Sequence, residues 1–377
     1  MDIYEESVKL HTEKNGKLEI KSKVKIETKH DLSLAYTPGV AEISRIIAKD
    51  KTRTGKLTLK GNTVAVITDG SAILGLGNLG PEAALPVMEG KCILFKEFAG
   101  VDAFPICLDT QDQEEIIKTI KYLAPVFGGI NLEDISAPKC FEIEKRLKQE
   151  LDIPVVHDDQ HGAAIVILAG LINSLKVRGS DKKQVRVVIN GAGAAGTGTA
   201  ELLVKYGFSD IIICDSRGAI YEGREGLNSV KLELAKITNK KQVQGKLADI
   251  VKGADIFIGV SAANVLNKEM VRSMNERPII FAMANPVPEI SPEDAKEAGA
   301  FIVASGRSDY PNQVNNILVF PGLFRGALDN NVRQIDEAVF IRIGERLAGL
   351  VSEPSVDMIL PDPLNKEVAK AVAEAVC

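Results

Sequence analysis

Two adjacent aspartates, Asp158 and Asp159, are the residues whose type and spacing point most directly to chemistry. They follow a short apolar run in the segment PVVHDDQHG, and an apolar, alanine-rich stretch begins after them near Gln160. This pattern predicts a buried parallel strand followed by a helix, so both carboxylates lie at the carboxyl end of a strand, where open α/β sheets bind ligands. Two buried like charges are destabilising unless a cation neutralises one of them, and we therefore expect a metal ion here.

Two other interpretations of this segment stay open. An aspartate commonly caps the N-terminus of a helix, although capping needs only one of the two. His157 and His161 are four residues apart, as in zinc sites on helices. That zinc motif requires both histidines on one helix with a glutamate between them, whereas His157 falls on the strand side. The sequence favours a metal bound by the carboxylates over a zinc hydrolase site.

A second pair of carboxylates, Glu133 and Asp134, follows the strand predicted at residues 126–130. One β-α-β unit separates it from the first pair. Because the carboxyl ends of neighbouring parallel strands meet at one edge of the sheet, the two acidic pairs can converge there. This convergence is the sharpest metal signal in the sequence.

Lys91 and Tyr36 are weaker candidates. Lys91 falls in a helix predicted at residues 81–100, between small and apolar neighbours that are poor surroundings for a solvated charge. Tyr36 precedes a Thr-Pro-Gly turn and a helix predicted to begin at Pro38, and a lone tyrosine in such a place is typical of aromatic packing.

The strand at 63–68 leads into a glycine-rich loop, in which the backbone can either approach a ligand closely or make a tight connection.

The segment GAGAAGTGTAELLVKYG has the spacing of a dinucleotide-binding turn. Its glycines form GxGxxG after a predicted strand and at the start of a helix. Glycine permits the turn and the close approach of a pyrophosphate, and the helix N-terminus favours its charge. The cofactor contacts that we expect here are Gly191, Ala192, Gly193, Ala194, Ala195 and Gly196.

Asp215, at the end of the next strand, can accept a hydrogen bond from a ribose 2′-hydroxyl. Its charge would repel a 2′-phosphate, which favours NAD, but Arg217 could receive that phosphate, so NADP stays an alternative. Asn264 and Asn285 follow the next two predicted strands, and we expect them to face the nicotinamide side of the cleft.

The chain has 377 residues, 45% of them apolar, and a formal net charge of -5. At about 100 to 200 residues per domain, this length suggests two domains with substantial cores. Lysine and arginine form no concentrated basic run, which argues against a nucleic-acid or anionic-membrane partner. The five cysteines are scattered without a CxxC pair, so we expect reduced thiols and a cytoplasmic protein.

The N-terminal segment is charged and has no apolar signal core, and its first 30 residues suggest a solvated helix followed by short strands. The longest apolar run, residues 163–172, is shorter than the roughly 20 residues of a membrane span.

From the alternating strands and helices and from the chain length, we predict an α/β protein with two domains. Residues 1–160 would form an α/β substrate and metal domain, and residues 161–377 a Rossmann-type dinucleotide-binding domain with C-terminal helices.

The order and spacing of the motifs resemble the malic enzymes, specifically the short prokaryotic type. The resemblance covers residues 31–329 and is carried by AYTPGVA, EGK, NLEDI, HDDQHGAA, GAGAAG, ANPVPE and NNILVFPG. It implies oxidative decarboxylation of (S)-malate to pyruvate and CO₂ with reduction of NAD(P), in a homodimer that could lend Tyr36 across its interface.

Carried over to this sequence, the resemblance makes Glu133, Asp134 and Asp159 ligands of Mg²⁺ or Mn²⁺. Lys91 matches the general base, with Asp158 as its electrostatic partner, and Tyr36 matches the general acid. Lys91, Asn285 and Asn316 match residues that contact malate. One departure is that Ser71 and Ala72 stand where longer eukaryotic relatives have a glutamate and a carboxylate-binding arginine.

These residue types suit the reaction. A neutral lysine can accept the C2 hydroxyl proton as hydride leaves, a hard cation can stabilise the enolate, and a tyrosine can protonate C3. Three alternatives stay open: a metal-independent NAD-dependent 2-hydroxy-acid dehydrogenase that accumulates oxaloacetate, a malolactic enzyme that makes lactate without net NADH, and a nucleotide-sensing module without catalysis.

Overall fold

The computed structural model describes residues 2–74 and 76–377, which form two β-sheets flanked by helices. The strands of the first sheet are β1 (Thr63–Thr68), β2 (Asp102–Cys107), β3 (Gly129–Leu132) and β4 (Val155–His157). Those of the second sheet are β5 (Arg186–Asn190), β6 (Asp210–Asp215), β7 (Gly218–Ala219), β8 (Ile256–Gly259), β9 (Ile279–Ala282) and β10 (Ile302–Ser305). The α/β fold class predicted from the sequence is confirmed.

The helices that precede the first sheet are α1 (Ile3–Lys14), α2 (Lys29–Ala35), α3 (Val40–Lys49) and α4 (Thr54–Leu57). Those that connect its strands and lead out of it are α5 (Pro81–Ala99), α6 (Gln113–Leu123), α7 (Lys139–Glu150) and α8 (Asp158–Arg178). The second sheet has α9 (Ala194–Tyr206), α10 (Ser229–Ile237), α11 (Leu247–Ile250), α12 (Lys268–Arg272) and α13 (Pro292–Glu297). The chain closes with α14 (Phe320–Asp329), α15 (Glu337–Gly349) and α16 (Glu367–Ala375).

The first sheet has the strand order β2-β1-β3-β4 with parallel pairing throughout. Every residue of β1 is buried, as expected for a central strand of a parallel sheet that is covered on both faces. Because parallel strands end at the same edge, the loops after β1 and β3 and the start of α8 meet there. These three segments carry Asp69, Glu133 and Asp158.

The second sheet has the order β10-β9-β8-β5-β6-β7, and only the β6–β7 pair is antiparallel. Numbered from β5, this is the doubly wound order 3-2-1-4-5-6, which binds dinucleotides where the strand order reverses. That reversal lies between β5 and β8, which pair in parallel although five elements separate them along the chain. The predicted Rossmann-type sheet is therefore present.

α8 leads from the first sheet to the second through the centre of the core. It has 21 residues and, among the described residues, is the one helix long and apolar enough to cross a membrane. However, 78% of its most apolar window is buried inside the fold, as in the central helix of a protein core. The apolar run of residues 163–172 lies in the middle of this helix, and the first and last turns, which carry charged residues, extend the helix on both sides.

The N-terminal segment departs from the prediction. No strand follows α1 in the described chain before Thr63, and the short helix α2 was not expected. A capping box starts α2: Thr28 Oγ1 accepts the N–H of Asp31, and Asp31 accepts the N–H of Thr28.

The strand predicted at residues 126–130 begins later, because the turn after α6 continues to Phe127, whose N–H donates to Ala124 O.

Candidate active site

Lys91 is the centre of a buried network of charges. It projects from α5, and 13% of its side chain is exposed. Its Nζ atom lies 3.1 Å from Glu133 Oε1, contacts Asp158 Oδ2, and lies 5.6 Å from the centroid of the Phe320 ring. Two carboxylates and an aromatic face thus surround a lysine that the sequence marked only by its apolar neighbours.

Asp158 connects Lys91 to the C-terminal half of the chain. It is the first residue of α8 and is fully buried. Its Oδ1 atom accepts a hydrogen bond from Asn316 Nδ2 at 2.7 Å. A side chain at Gly162, one turn further along α8, would collide with this carboxylate and with Phe320, so the position requires glycine. The structure therefore brings Lys91, Asp158 and Asn316 together.

Glu133 belongs to this network, and Asp134 and Asp159 lie beside it. Glu133 is buried and also accepts a hydrogen bond from Asn131 Nδ2 at 2.8 Å. The backbone N–H of Asp134 donates to Asp159 Oδ2 at 2.9 Å. Burial and the negative charges of Asp159 and Glu133 raise the pKa of Asp134 to about 8. The three carboxylates are thus close enough to repel one another.

These carboxylates do not form a closed ligand set as they stand. Within residues 2–74 and 76–377, no group of three or more His, Cys, Asp or Glu side chains is arranged to hold a metal ion. Asp159 Oδ2 lies 3.3 Å from His157 Nε2, and Glu133 is paired with Lys91. Asp134 Oδ2, however, is buried without a hydrogen-bond partner. A buried carboxylate oxygen without a donor beside two further carboxylates fits a hard divalent cation.

Glu144 on α7 holds the segment that carries the two aspartates, and our sequence analysis missed it. Its Oε1 atom accepts the N–H of His157 at 3.0 Å, and Oε2 lies 2.9 Å from His161 Nε2. Burial would raise the pKa of Glu144, but pairing with His161 and Lys148 holds it well below its usual range. His161 also stacks on Phe340, so it serves the fold and not a zinc site.

A signal for Glu144 was available in the sequence. The buried positions of α7 are Cys140, Ile143, Glu144 and Leu147, which follow the spacing of an apolar helix face. A glutamate on that face needs buried partners, because an unpaired charge there would be strongly destabilising.

The predicted glycine-rich turn joins β5 to α9 at the point where the strand order reverses. Gly191 has a φ of 121°, and a Cβ atom there would lie 2.5 Å from Val260 O. Gly193 is the N-cap of α9, and nothing lies within 4 Å of its Cβ position. The N-terminus of α9 therefore faces open space, in which its N–H groups can bind a phosphate.

Asp215, at the end of β6, is engaged by two cations that our sequence analysis missed. Its carboxylate accepts hydrogen bonds from Arg224 at 2.5 Å and from Lys231 at 2.6 Å. Although burial raises the pKa of Asp215, these partners lower it to about 2. Arg217 donates its side chain to two backbone carbonyls of the following loop instead. Arg224 and Lys231 lie 9 and 16 residues beyond Asp215, which is too far for a local motif to reveal.

Tyr36, Asn264 and Asn285 lie outside the lysine network. Tyr36 is 65% exposed and follows α2. Asn264 and Asn285 lie on exposed loops after β8 and β9, and the N–H of Asn264 donates to Pro288 O at 3.1 Å. No side-chain hydrogen bond joins these three residues to Lys91 in the described part of the chain.

Ser71 braces two loops at the edge of the first sheet. Its hydroxyl donates to Asp69 Oδ1 at 2.6 Å and accepts the N–H of Ser136 at 2.9 Å. Asp69 is itself buried and paired with Lys139. Ser71 therefore has a structural role at this edge of the sheet.

An amine between carboxylates can exchange a proton with a substrate hydroxyl, and a separate sheet supplies a turn for a dinucleotide phosphate. Two family models match these two parts of the chain. The model described as "Malic enzyme, N-terminal domain" matches residues 14–148, and the one described as "Malic enzyme, NAD binding domain" matches residues 160–377.

Whole-chain comparisons agree with these matches. The chain is 59% identical to the bifunctional malic/malolactic enzyme of Bacillus subtilis (strain 168), over 100% of this chain and 92% of the relative. It is 54% identical to the NAD-dependent malic enzyme of Geobacillus stearothermophilus, over 96% of this chain and 76% of the relative. The crystal structure of the NAD-dependent malic enzyme from Thermotoga maritima matches with a TM-score of 0.96 at 47% identity, covering 100% of this chain and 99% of that one. The chain therefore belongs to the malic enzyme family of dinucleotide-dependent oxidoreductases.

Proposed function

We propose that this chain catalyses the divalent-metal-dependent oxidative decarboxylation of (S)-malate to pyruvate and CO₂, with reduction of NAD. The observation that carries this proposal is the buried contact of Lys91 with Asp158 and Glu133, beside Asp134 and Asp159. A base next to a cluster of acidic ligands meets the two main demands of the reaction, proton removal at C2 and stabilisation of an enolate.

In the proposed mechanism, Lys91 accepts the proton of the C2 hydroxyl while hydride leaves the same carbon. The ammonium group that forms is stabilised by the carboxylates of Asp158 and Glu133 on either side of Nζ. Asn316, held by its bond to Asp158, and Asn285 are assigned to binding malate, as is Lys91 itself. Asp158 is fully buried and 13% of the Lys91 side chain is exposed, which limits the access of bulk water to this network.

Glu133, Asp134 and Asp159 are the residues that would hold Mg²⁺ or Mn²⁺. When bound, the cation supplies Lewis-acid stabilisation of the negative charge that develops on the C2 oxygen as CO₂ leaves. The buried Oδ2 atom of Asp134, which lacks a hydrogen-bond donor, supports this assignment.

Tyr36 is assigned as the acid that protonates C3, acting in the partner subunit of a homodimer. Tyr36 is 65% exposed, and its neighbours Leu32 and Leu34 are also exposed. α3 buries none of its residues although Val40 and three isoleucines lie along it. Exposed apolar surface of this kind marks an interface, and two-fold pairing of identical chains would give each site a tyrosine from the other.

For the dinucleotide, we assign residues 191–196 to the pyrophosphate, Asp215 to the ribose hydroxyl and Asn264 to the nicotinamide side. The acidic Asp215 supports NAD, while Arg224 and Lys231 at its carboxylate keep NADP as the alternative.

We assign residues 1–160 to the malate and metal domain and residues 161–377 to the dinucleotide domain. A cytoplasmic location is proposed from the cysteines, which are free in the described chain.

A malolactic reaction is the second candidate function, because a relative 59% identical to this chain is a bifunctional malic/malolactic enzyme. The test is a spectrophotometric assay with L-malate, NAD or NADP, and Mn²⁺ either added or chelated by EDTA. NADH together with pyruvate supports the main proposal, and lactate without net NADH supports the second. Oxaloacetate formed at the same rate in EDTA contradicts both.

A further inference from the structure

Glu289 is a fully buried carboxylate between the carboxyl ends of β8 and β9. It ends the segment ANPVPE and has no exposed surface. No lysine, arginine or histidine pairs with it among residues 2–74 and 76–377, and the groups that stabilise its charged form are backbone amides. A charge in such a place is strongly destabilising unless hydrogen-bond donors surround it.

The donors come from two different loops. One carboxylate oxygen accepts the N–H of Ser261, in the loop after β8, at 2.9 Å. The other accepts the N–H of Ala284, in the loop after β9, also at 2.9 Å. Burial raises the pKa of Glu289, and both amides oppose this rise. One side chain thus joins the ends of two neighbouring strands.

Each of these loops reaches a part of the proposed site. Asn190 Nδ2, directly before the glycine turn, donates to Ser261 Oγ at 2.7 Å. Asn285, assigned to malate, directly follows Ala284. The backbone of Glu289 adds a further link, because its carbonyl accepts the N–H of Leu266 at 3.0 Å. Two bonds through Glu289, to Ser261 and to Leu266, therefore hold the two loops to each other, and its bond to Ala284 fixes the loop after β9 internally.

The end of β8 leaves space for this carboxylate. A Cβ atom at Gly259, the last residue of the strand, would lie 2.6 Å from Glu289 Oε1. The backbone conformation of Gly259 does not require glycine, because its φ is not positive. The close approach of Glu289 is the reason that this position excludes a side chain.

We propose that Glu289 is a positioning residue that fixes the loop beside the glycine turn relative to the loop carrying Asn285. It contacts neither cofactor nor substrate itself and acts through Ser261 and Ala284. This inference rests on the proposed function, which assigns the two loops to the nicotinamide and to malate.

The test uses Glu289→Gln, which keeps the shape of the side chain but turns an NH₂ group toward one of the two backbone N–H groups. We expect the Kd for NADH, measured by fluorescence titration of the full-length chain, to rise by about tenfold or more, as for the loss of one hydrogen bond to a charged group. The KM for NAD should rise by more than kcat falls.

Asp255→Asn is the matched control. Asp255 is also buried and accepts the N–H of Arg186 at 2.8 Å, but it lies at the opposite edge of the second sheet. Both variants should unfold at a lower temperature than the wild type, whereas only Glu289→Gln should lose NADH affinity. An NADH affinity of Glu289→Gln equal to that of the wild type, or an equal loss in Asp255→Asn, would overturn the proposal.

A second measurement needs no variant. In the wild-type chain, the amide hydrogens of Ser261 and Ala284 should exchange with solvent more slowly than those of the exposed neighbours Ala262 and Ala263. Equal exchange rates would also overturn the proposal. A wild-type chain that binds NADH but neither oxidises nor decarboxylates malate would instead contradict the proposed function, so the two failures are distinguishable.

Discussion

Lys91 is the residue on which the proposed proton transfer depends. Replacement by alanine removes the base and leaves Asp158 and Glu133 buried without their counter-charge. We expect kcat with L-malate, NAD and Mn²⁺ to fall by about 10² to 10⁴, the range for loss of a general base. Initial rates of NADH formation measure the effect.

Lys96, on the same helix, provides the control for that experiment. Its ion pair with Asp102 spans 2.6 Å and lies at the surface, with 57% of the lysine side chain exposed. Because such pairs contribute little to stability, Lys96→Ala should retain a rate within about twofold of the wild type. A Lys91→Ala variant that is equally active would show that Lys91 is not the base.

Asp159 is the acidic residue whose loss should affect the metal most directly. Asp159→Ala removes the carboxylate that the backbone of Asp134 now contacts, and we expect it to abolish metal-dependent turnover. The measurement is the rate as a function of free Mn²⁺. Asp152→Ala, which removes a carboxylate that is 93% exposed, serves as the control. An unchanged Mn²⁺ requirement in Asp159→Ala would exclude this residue as a ligand.

At the scale of elements, α7 holds the start of α8 through Glu144. Glu144→Gln removes a buried charge with three partners, and we expect the free energy of unfolding at pH 7 to fall by about 3 kcal/mol. The exposed Glu142→Gln on the same helix should change it little. Thermal and denaturant unfolding of both variants measure this difference.

The contribution of Glu144 to the free energy of unfolding decreases as the pH falls. The pKa of Glu144 is lower in the folded chain than its ordinary value of 4.5, so the unfolded chain binds the proton first. The stabilisation by ionised Glu144 is therefore complete above about pH 4.5 and is lost as the pH falls below it. The difference in unfolding temperature between wild type and Glu144→Gln should shrink in that direction. A difference independent of pH would show that ionised Glu144 is not the stabilising species.

At the scale of the whole molecule, the exposed N-terminal helices predict that the active unit is a dimer. Tyr36→Phe and Lys91→Ala should each be nearly inactive as purified variants. If Tyr36 acts on the partner subunit, a mixed dimer of the two variants contains one site with both wild-type residues. If the two variants are unfolded and refolded together and pair at random, half of the dimers are mixed, and each mixed dimer has one intact site of two. We therefore expect about a quarter of the wild-type activity to be restored.

The mixing experiment distinguishes a tyrosine that acts in the partner's site from one that acts in its own chain. In the second case every site of the mixed dimer lacks either Tyr36 or Lys91, and no activity returns. No recovery of activity, with dimers verified by light scattering, would place Tyr36 outside the partner's site. A monomer with full activity would contradict the proposed interface altogether.

Several strands, and the chemical character of the residues that follow them, could be predicted from the sequence. β1 has the bounds that its apolar run predicts, β6 ends at Asp215 as predicted, and the acidic pairs and the GxGxxG turn follow strands as expected. Local sequence suffices for this, because a short continuous apolar run bounded by turn residues is typical of a strand that is buried on both faces of a parallel sheet. The chain length also suggested two domains, and the predicted strands and helices indicated the α/β class.

Most contacts between residues that are distant in the sequence could not be predicted from local patterns. Asn316 reaches Asp158 across 158 residues of sequence, and Lys91 reaches it across 67. Glu289 looks like an ordinary glutamate in the sequence, and the apolar face of α7 indicates burial of Glu144 but not its partners. Packing buries both side chains and gives them backbone amides as partners. Such contacts depend on how whole elements pack, and a charge acquires a positioning role only when that packing removes it from water.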